Sequence, residues 1–143
     1  EHDAAGHITE SHEVRTAMVE KRLCKYDGLV ERALPPDVYG FEDASVMVVA
    51  WGSTLPVLSE ALERIDDGSV ALVHFTQVYP LADSASEILG NADKIIVVEN
   101  NVSGQFARVL KLHADIEADA IITKYSGLMF SVEELVNRLG DYI

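Results

Sequence analysis

Four apolar runs set the rhythm of this chain. Val46-Met47-Val48-Val49-Ala50-Trp51, Val70-Ala71-Leu72-Val73-His74-Phe75, Ile95-Ile96-Val97-Val98 and Ala120-Ile121-Ile122 start at positions 46, 70, 95 and 120, a step of 24 or 25 residues. They are continuous and rich in β-branched residues, as in strands covered on both faces. Between them apolar residues recur at helical spacing: Leu55, Leu58, Leu62 and Ile65, then Ala85, Ile88, Leu89 and Ala92, then Phe106, Val109, Leu110 and His113. Val132, Leu135, Val136 and Leu139 repeat the pattern after the last run. Pro56 falls in a first turn, where a missing N–H costs nothing. Ser131 and Glu134 have the spacing of a capping box, in which each side chain takes the other residue's orphan N–H. Strand and helix alternating at this step predict right-handed βαβ crossovers and a parallel sheet with helices on both faces.

Residues 1–44 follow a different pattern. Positions 1–12 are polar and hold three of the five histidines. Glu13 to Tyr26 reads as a helix, with Val14, Ala17 and Met18 on one side and Val19, Leu23 and Tyr26 on another, so its second face wants a partner. Leu34-Pro35-Pro36-Asp37 cannot be helical and marks a linker. The expected division is an arm, helix and linker over 1–36 and a compact α/β domain over 37–143.

Composition narrows the function. A chain of 143 residues suits one domain and buries enough surface to need no staples. Its single cysteine, Cys24, excludes an intrachain disulfide and any multi-cysteine cluster. The longest apolar runs are six residues, far short of the roughly 20 that span a bilayer. The opening Glu1-His2-Asp3, without methionine, is what a processed or truncated piece shows. The net charge is −13; residues 33–143 hold six bases and seventeen acids, −11. Such a surface repels phosphate backbones and anionic lipid, so neither nucleic acid nor membrane is expected as a partner.

Two loops carry candidate chemistry. Gly52-Ser53-Thr54 follows the first strand, at the edge where open α/β sheets bind ligands. No G-x-G-x-x-G or G-K-[ST] accompanies it, and a glycine turn with Ser or Thr as N-cap explains all three residues without a ligand. Glu99-Asn100-Asn101-Val102-Ser103-Gly104-Gln105 follows the third strand, and its amides suit either a turn or the positioning of a ligand or a neighbouring domain. Asp66-Asp67-Gly68 needs only a turn. His2, Asp3, His7, Glu10 and His12 are metal-ligand types, but their spacing fits no helical pair, and a flexible arm is the expectation. His74 and His113 read as satisfied core or rim histidines. No nucleophile stands beside a base. The residues therefore predict no catalytic, cofactor or metal site, and leave Gly52, Ser53, Thr54, Glu99, Asn100, Asn101, Gly104 and Gln105 as loop or interface candidates.

Taken in order, Glu1-His2-Asp3 to Gly6-His7-Ile8-Thr9-Glu10, Met18-Val19-Glu20-Lys21-Arg22-Leu23, Trp51-Gly52-Ser53-Thr54, Gln77-Val78-Tyr79-Pro80 and Val97-Val98-Glu99-Asn100-Asn101-Val102-Ser103-Gly104-Gln105 resemble the second domain of the α subunits of 2-oxoacid:ferredoxin oxidoreductases, nearest the 2-oxoglutarate type. The resemblance implies a three-layer α/β/α sandwich like the C-terminal domain of transketolases. Its five-stranded sheet would be mostly parallel, with an antiparallel edge strand near Val38 to Phe41. The implied parent is a cytoplasmic enzyme that converts a 2-oxoacid, coenzyme A and oxidised ferredoxin to acyl-CoA, carbon dioxide and reduced ferredoxin. It would use thiamine diphosphate, magnesium and an iron–sulfur cluster. Its implied partners are the other domain of the α subunit, the β subunit and, through the complex, ferredoxin. This chain has no G-D-G before Asn100-Asn101 and no C-x-x-C, so the resemblance carries over no cofactor residue and implies an inactive assembly domain. A transketolase or 2-oxoacid dehydrogenase E1 β C-terminal domain, and a stand-alone small-molecule or acyl-CoA binding module, are the alternatives.

Overall fold

The computed structural model describes residues 1–41, 44–65 and 67–143. Among these, no helix is long and apolar enough to cross a membrane. The chain divides into two compact units, Glu1–Ala33 and Leu34–Ile143.

In the first unit, residues 1–9 close on themselves instead of forming a flexible arm. The Asp3 carboxylate accepts from the backbone N–H of Ala5 and His7, each at 2.9 Å, and Thr9 N–H donates to the Glu1 carbonyl at 3.0 Å. Local Asx hydrogen bonding of this kind fixes a turn without tertiary packing. Helix α1 (His12–Val30) is capped by the Ser11 hydroxyl, which accepts from Val14 N–H. It runs longer than the expected Glu13 to Tyr26. Of its apolar positions Met18 is buried, whereas Leu23 and Leu29 stay exposed. Arg22 grips both oxygens of Glu1 at 3.2 and 2.7 Å. That bidentate bond pulls the Glu1 carboxyl down from the usual 4.5 to about 2. The pair therefore favours the closed turn above pH 4.5, and that contribution fades as the pH falls toward about 2.

The second unit contains β1 (Asp37–Tyr39), β2 (Val46–Trp51), α2 (Leu55–Ile65), β3 (Val70–Phe75), α3 (Ser84–Leu89), β4 (Lys94–Glu99), α4 (Gln105–Ala114), β5 (Ala120–Thr123) and α5 (Val132–Leu139). The five strands form one sheet in the order β1-β3-β2-β4-β5. β2 pairs in parallel with β3 and β4, and β4 with β5. β1 runs antiparallel to β3, with Asp37 opposite His74. Every buried run predicted as a strand is one, and the edge strand spans Asp37–Tyr39 instead of the expected Val38 to Phe41.

Side-chain alternation along the strands builds two cores. Val48, Leu72, Ile96 and Val98 face α2 and α5, where Leu58, Ala61, Leu135 and Leu139 meet them. Met47, Val49, Val73 and Val97 face α3 and α4, where Ala85, Leu89, Phe106 and Leu110 meet them. The result is the three-layer α/β/α sandwich that the 24–25-residue cadence requires. Asp67, before β3, accepts from Ser69 N–H and hydroxyl at 2.8 and 2.6 Å, which lowers its carboxyl. Asp66 lies outside the described residues.

A candidate functional site at the carboxyl edge of the sheet

The parallel register brings the ends of β2, β3, β4 and β5 to one edge. The chain leaves β2 for α2 on one face and leaves β4 for α4 on the other. The crevice between these adjacent strands is therefore the topological switch point, where open α/β sheets place their ligands. Both predicted loops open there.

Gly52 turns the chain at φ +62°, a left-handed conformation that favours glycine. Its carbonyl accepts from His74 Nε2 at 2.9 Å. Because that carbonyl can only accept, Nε2 carries the hydrogen, and the buried Nδ1 has no partner among the described residues. His74 is thus half satisfied. The expected Ser or Thr cap is not made: the buried Thr54 hydroxyl donates back to the Trp51 carbonyl at 2.8 Å, and Ser53 stays exposed.

The second loop is organised around Glu99, fully buried at the end of β4. Its carboxylate accepts from Phe106 N–H at 2.8 Å, from Ala107 N–H at 3.0 Å and from Asn101 Nδ2 at 2.7 Å. Two of these donors are first-turn N–H groups of α4, which have no partner within the helix. The negative charge also faces the positive end of the helix dipole. Asn101 Oδ1 in turn accepts from Ser103 and Gln105 N–H at 3.1 and 3.2 Å. Gly104 sits at φ +61°, and a Cβ there would stand 3.2 Å from Ile121 Cγ2. Glu99, Asn101 and Gly104 therefore build the turn.

Asn100 and Gln105 are left exposed, with no side-chain hydrogen bond among the described residues. They do not converge. Asn100 lines a cavity of about 400 Å³ with Ser53 and the loop Lys124–Met129. Gln105 lines a recess of about 160 Å³ with Trp51, Val78, Phe106 and Val109. Trp51 Nε1 is buried without a partner among the described residues. His113 is exposed, and its ring lies 4.8 Å from that of Tyr79.

Sequence reasoning missed the third wall of the larger cavity. Lys124 Nζ donates to the Met129 carbonyl at 2.8 Å and pairs with Glu134. This ion pair takes the place of half the predicted capping box: Ser131 Oγ accepts from Glu134 N–H at 3.2 Å, but the Glu134 carboxylate turns to Lys124. Its carboxyl is lowered mainly by that bond. The one signal in the sequence was Leu128-Met129, an apolar pair outside any strand or helix period and preceded by Gly127, which takes φ +84°.

No protein-family model matches the chain. It is 35% identical to 2-oxoacid:ferredoxin oxidoreductase 2, subunit alpha, of Aeropyrum pernix, across 97% of this chain and 23% of that one. Subunit alpha of oxidoreductase 1 from the same organism is 34% identical, across all of this chain and 24% of the relative. The solved structure of 2-oxoglutarate:ferredoxin oxidoreductase from Magnetococcus marinus, with 2-oxoglutarate, coenzyme A and succinyl-CoA bound, superposes with a TM-score of 0.81 at 27% identity. It covers 99% of this chain and 25% of that one. These relatives are oxidoreductases or subunits of them, and the chain spans about a quarter of the length of the curated relatives it matches.

Proposed function

We propose that this chain is the second-domain segment of the α subunit of a 2-oxoacid:ferredoxin oxidoreductase, and that it serves assembly and shaping of the enzyme instead of its chemistry. The observation that carries this reading is the fate of the polar groups at the switch point. Glu99, the buried carboxylate there, spends its acceptors on the turn and on α4. The collinear likeness to α subunits supports the parent, and the neighbour with 2-oxoglutarate bound supports that substrate.

Thiamine diphosphate, magnesium and an iron–sulfur cluster do not fit the residues present. Asn101 is consumed by the turn. Among the described residues no three His, Cys, Asp or Glu side chains converge as metal ligands, and Cys24 stands exposed on α1. Those groups, like coenzyme A, belong to the rest of the parent, a cytoplasmic complex with the other α-subunit domain and a β subunit as neighbours. Ferredoxin, commonly acidic, meets that complex elsewhere, because −11 over residues 33–143 opposes its approach.

Calorimetry of the 143-residue chain tests the division of labour. A cooperative thermal transition and no heat on adding thiamine diphosphate with magnesium are expected. Micromolar binding, or any acyl-CoA formed by the chain alone, would overturn the reading.

A further inference from the structure

Beyond a part in assembly, we propose that this domain binds a small organic carboxylate with an apolar tail, in the cavity of about 400 Å³ at the switch point. Position is the first observation. The cavity is lined by Ser53, two residues past β2, and by Asn100, the residue after β4. Those strands are neighbours whose chains leave for opposite faces of the sheet, and a crevice so placed is where open α/β sheets hold their ligands. Its volume suits a small molecule.

The polar lining is the second observation. The Ser53 hydroxyl and the Asn100 amide are exposed and make no hydrogen bond among the described residues. Lys124 Nζ has three hydrogens to give. One goes to the Met129 carbonyl and one to Glu134, which leaves the third without an acceptor among the described residues. None of the residues lining the cavity is an acid, on a domain that carries −11. Three unused donors call for a group that only accepts, and an ionised carboxylate accepts more strongly than a neutral carbonyl. Charge then chooses among oxyanions. Glu134 already offsets the Lys124 ammonium, so the second charge of a phosphate would face that carboxylate uncompensated.

The apolar lining is the third. Tyr125, Leu128 and Met129 complete the wall at 70%, 71% and 60% exposure. A ligand that reaches the donors can cover these side chains with its tail, and their burial supplies affinity that one carboxylate lacks. The wall is also held in advance. Phe130, next along the chain, is buried, with Lys124 Nζ 5.5 Å and the Arg138 guanidinium 5.7 Å from its ring. Arg138 donates to the Thr123 carbonyl at 2.9 Å. A site fixed in this way loses little freedom when it is filled.

Phenylacetate titrated into the 143-residue chain, followed by amide and methyl NMR, tests the proposal. Saturable shifts at Ser53, Asn100, Leu128 and Met129 are expected, with a Kd of about 1 mM, as suits about ten non-hydrogen atoms. Acetate lacks the tail, phenylacetamide lacks the charge and phenyl phosphate carries one charge too many; each should bind at least about tenfold more weakly. Ser53→Ala with Asn100→Ala should weaken phenylacetate by about fivefold or more and leave the melting of the chain almost unchanged, because both side chains are exposed and unbonded. Leu112→Asp, on the exposed side of α4, should leave binding as it is. Shifts that do not saturate, or that fall away from the cavity, overturn the site. Equal binding of phenylacetamide, or tighter binding of phenyl phosphate, overturns the ligand class. All of this is read on the isolated chain, so failure here leaves the reading of the parent enzyme standing.

Discussion

Glu99→Ala should lower the stability of the chain by about 3–4 kcal/mol, since buried donors stripped of their acceptor cost roughly 1–3 kcal/mol each and partly relax. The substitution orphans three N–H groups at once: Phe106 and Ala107 in the first turn of α4, and Asn101 in the loop. Water cannot readily replace the carboxylate, because the position is fully buried. For a domain of this size the melting temperature should fall by roughly 10–15 °C. Glu99→Gln keeps the shape but presents an amide N–H toward some of the same donors, so it should lose about half as much. A melting shift under a few degrees for Glu99→Ala would mean that the first turn of α4 is held by something other than this side chain.

The ring that follows the cap should matter as much. Phe106 is 2% exposed and meets Phe75 edge-on, with centroids 4.8 Å apart. Phe106→Ala should cost about 3–5 kcal/mol, the usual range for emptying a well-packed aromatic site. Phe106→Leu refills most of the volume and should recover more than half. Because the Phe106 N–H is one of the Glu99 donors, the two residues form one unit, and losses in the double variant should fall short of their sum. Denaturant titrations of the three variants check both the size and the coupling; fully additive losses would separate ring from cap.

Local pattern made most of the fold legible in advance. Continuous β-branched runs at a constant step leave little choice but parallel strands, and each of them is found in the sheet. The carboxyl edge was legible only in part, because its bonds join residues whose relation depends on packing. Nothing local says that Glu99 turns inward to cap the helix that follows it, or that Thr54 bonds backward to Trp51. Glu134 gives up its half of a capping box to Lys124, ten residues earlier in the chain, a choice made by the approach of β5 to α5. The 124–131 loop was passed over for the same reason. Its apolar tip looks like punctuation in the sequence, and only the ion pair and the two cations over Phe130 reveal a built feature.

Asn100 and Gln105 offer the most direct measurement of whether this edge works by contact. Neither side chain supports the turn, so Asn100→Ala with Gln105→Ala should change the stability of the isolated chain by less than about 1 kcal/mol. In the complete enzyme the same pair should weaken assembly or lower turnover by about tenfold, the equivalent of ~1.4 kcal/mol at an interface. Melting curves of the chain set beside turnover of the enzyme, for the one double variant, decide the matter. A stable chain in a crippled enzyme is the expected result; a destabilised chain in an enzyme with no further defect would contradict it.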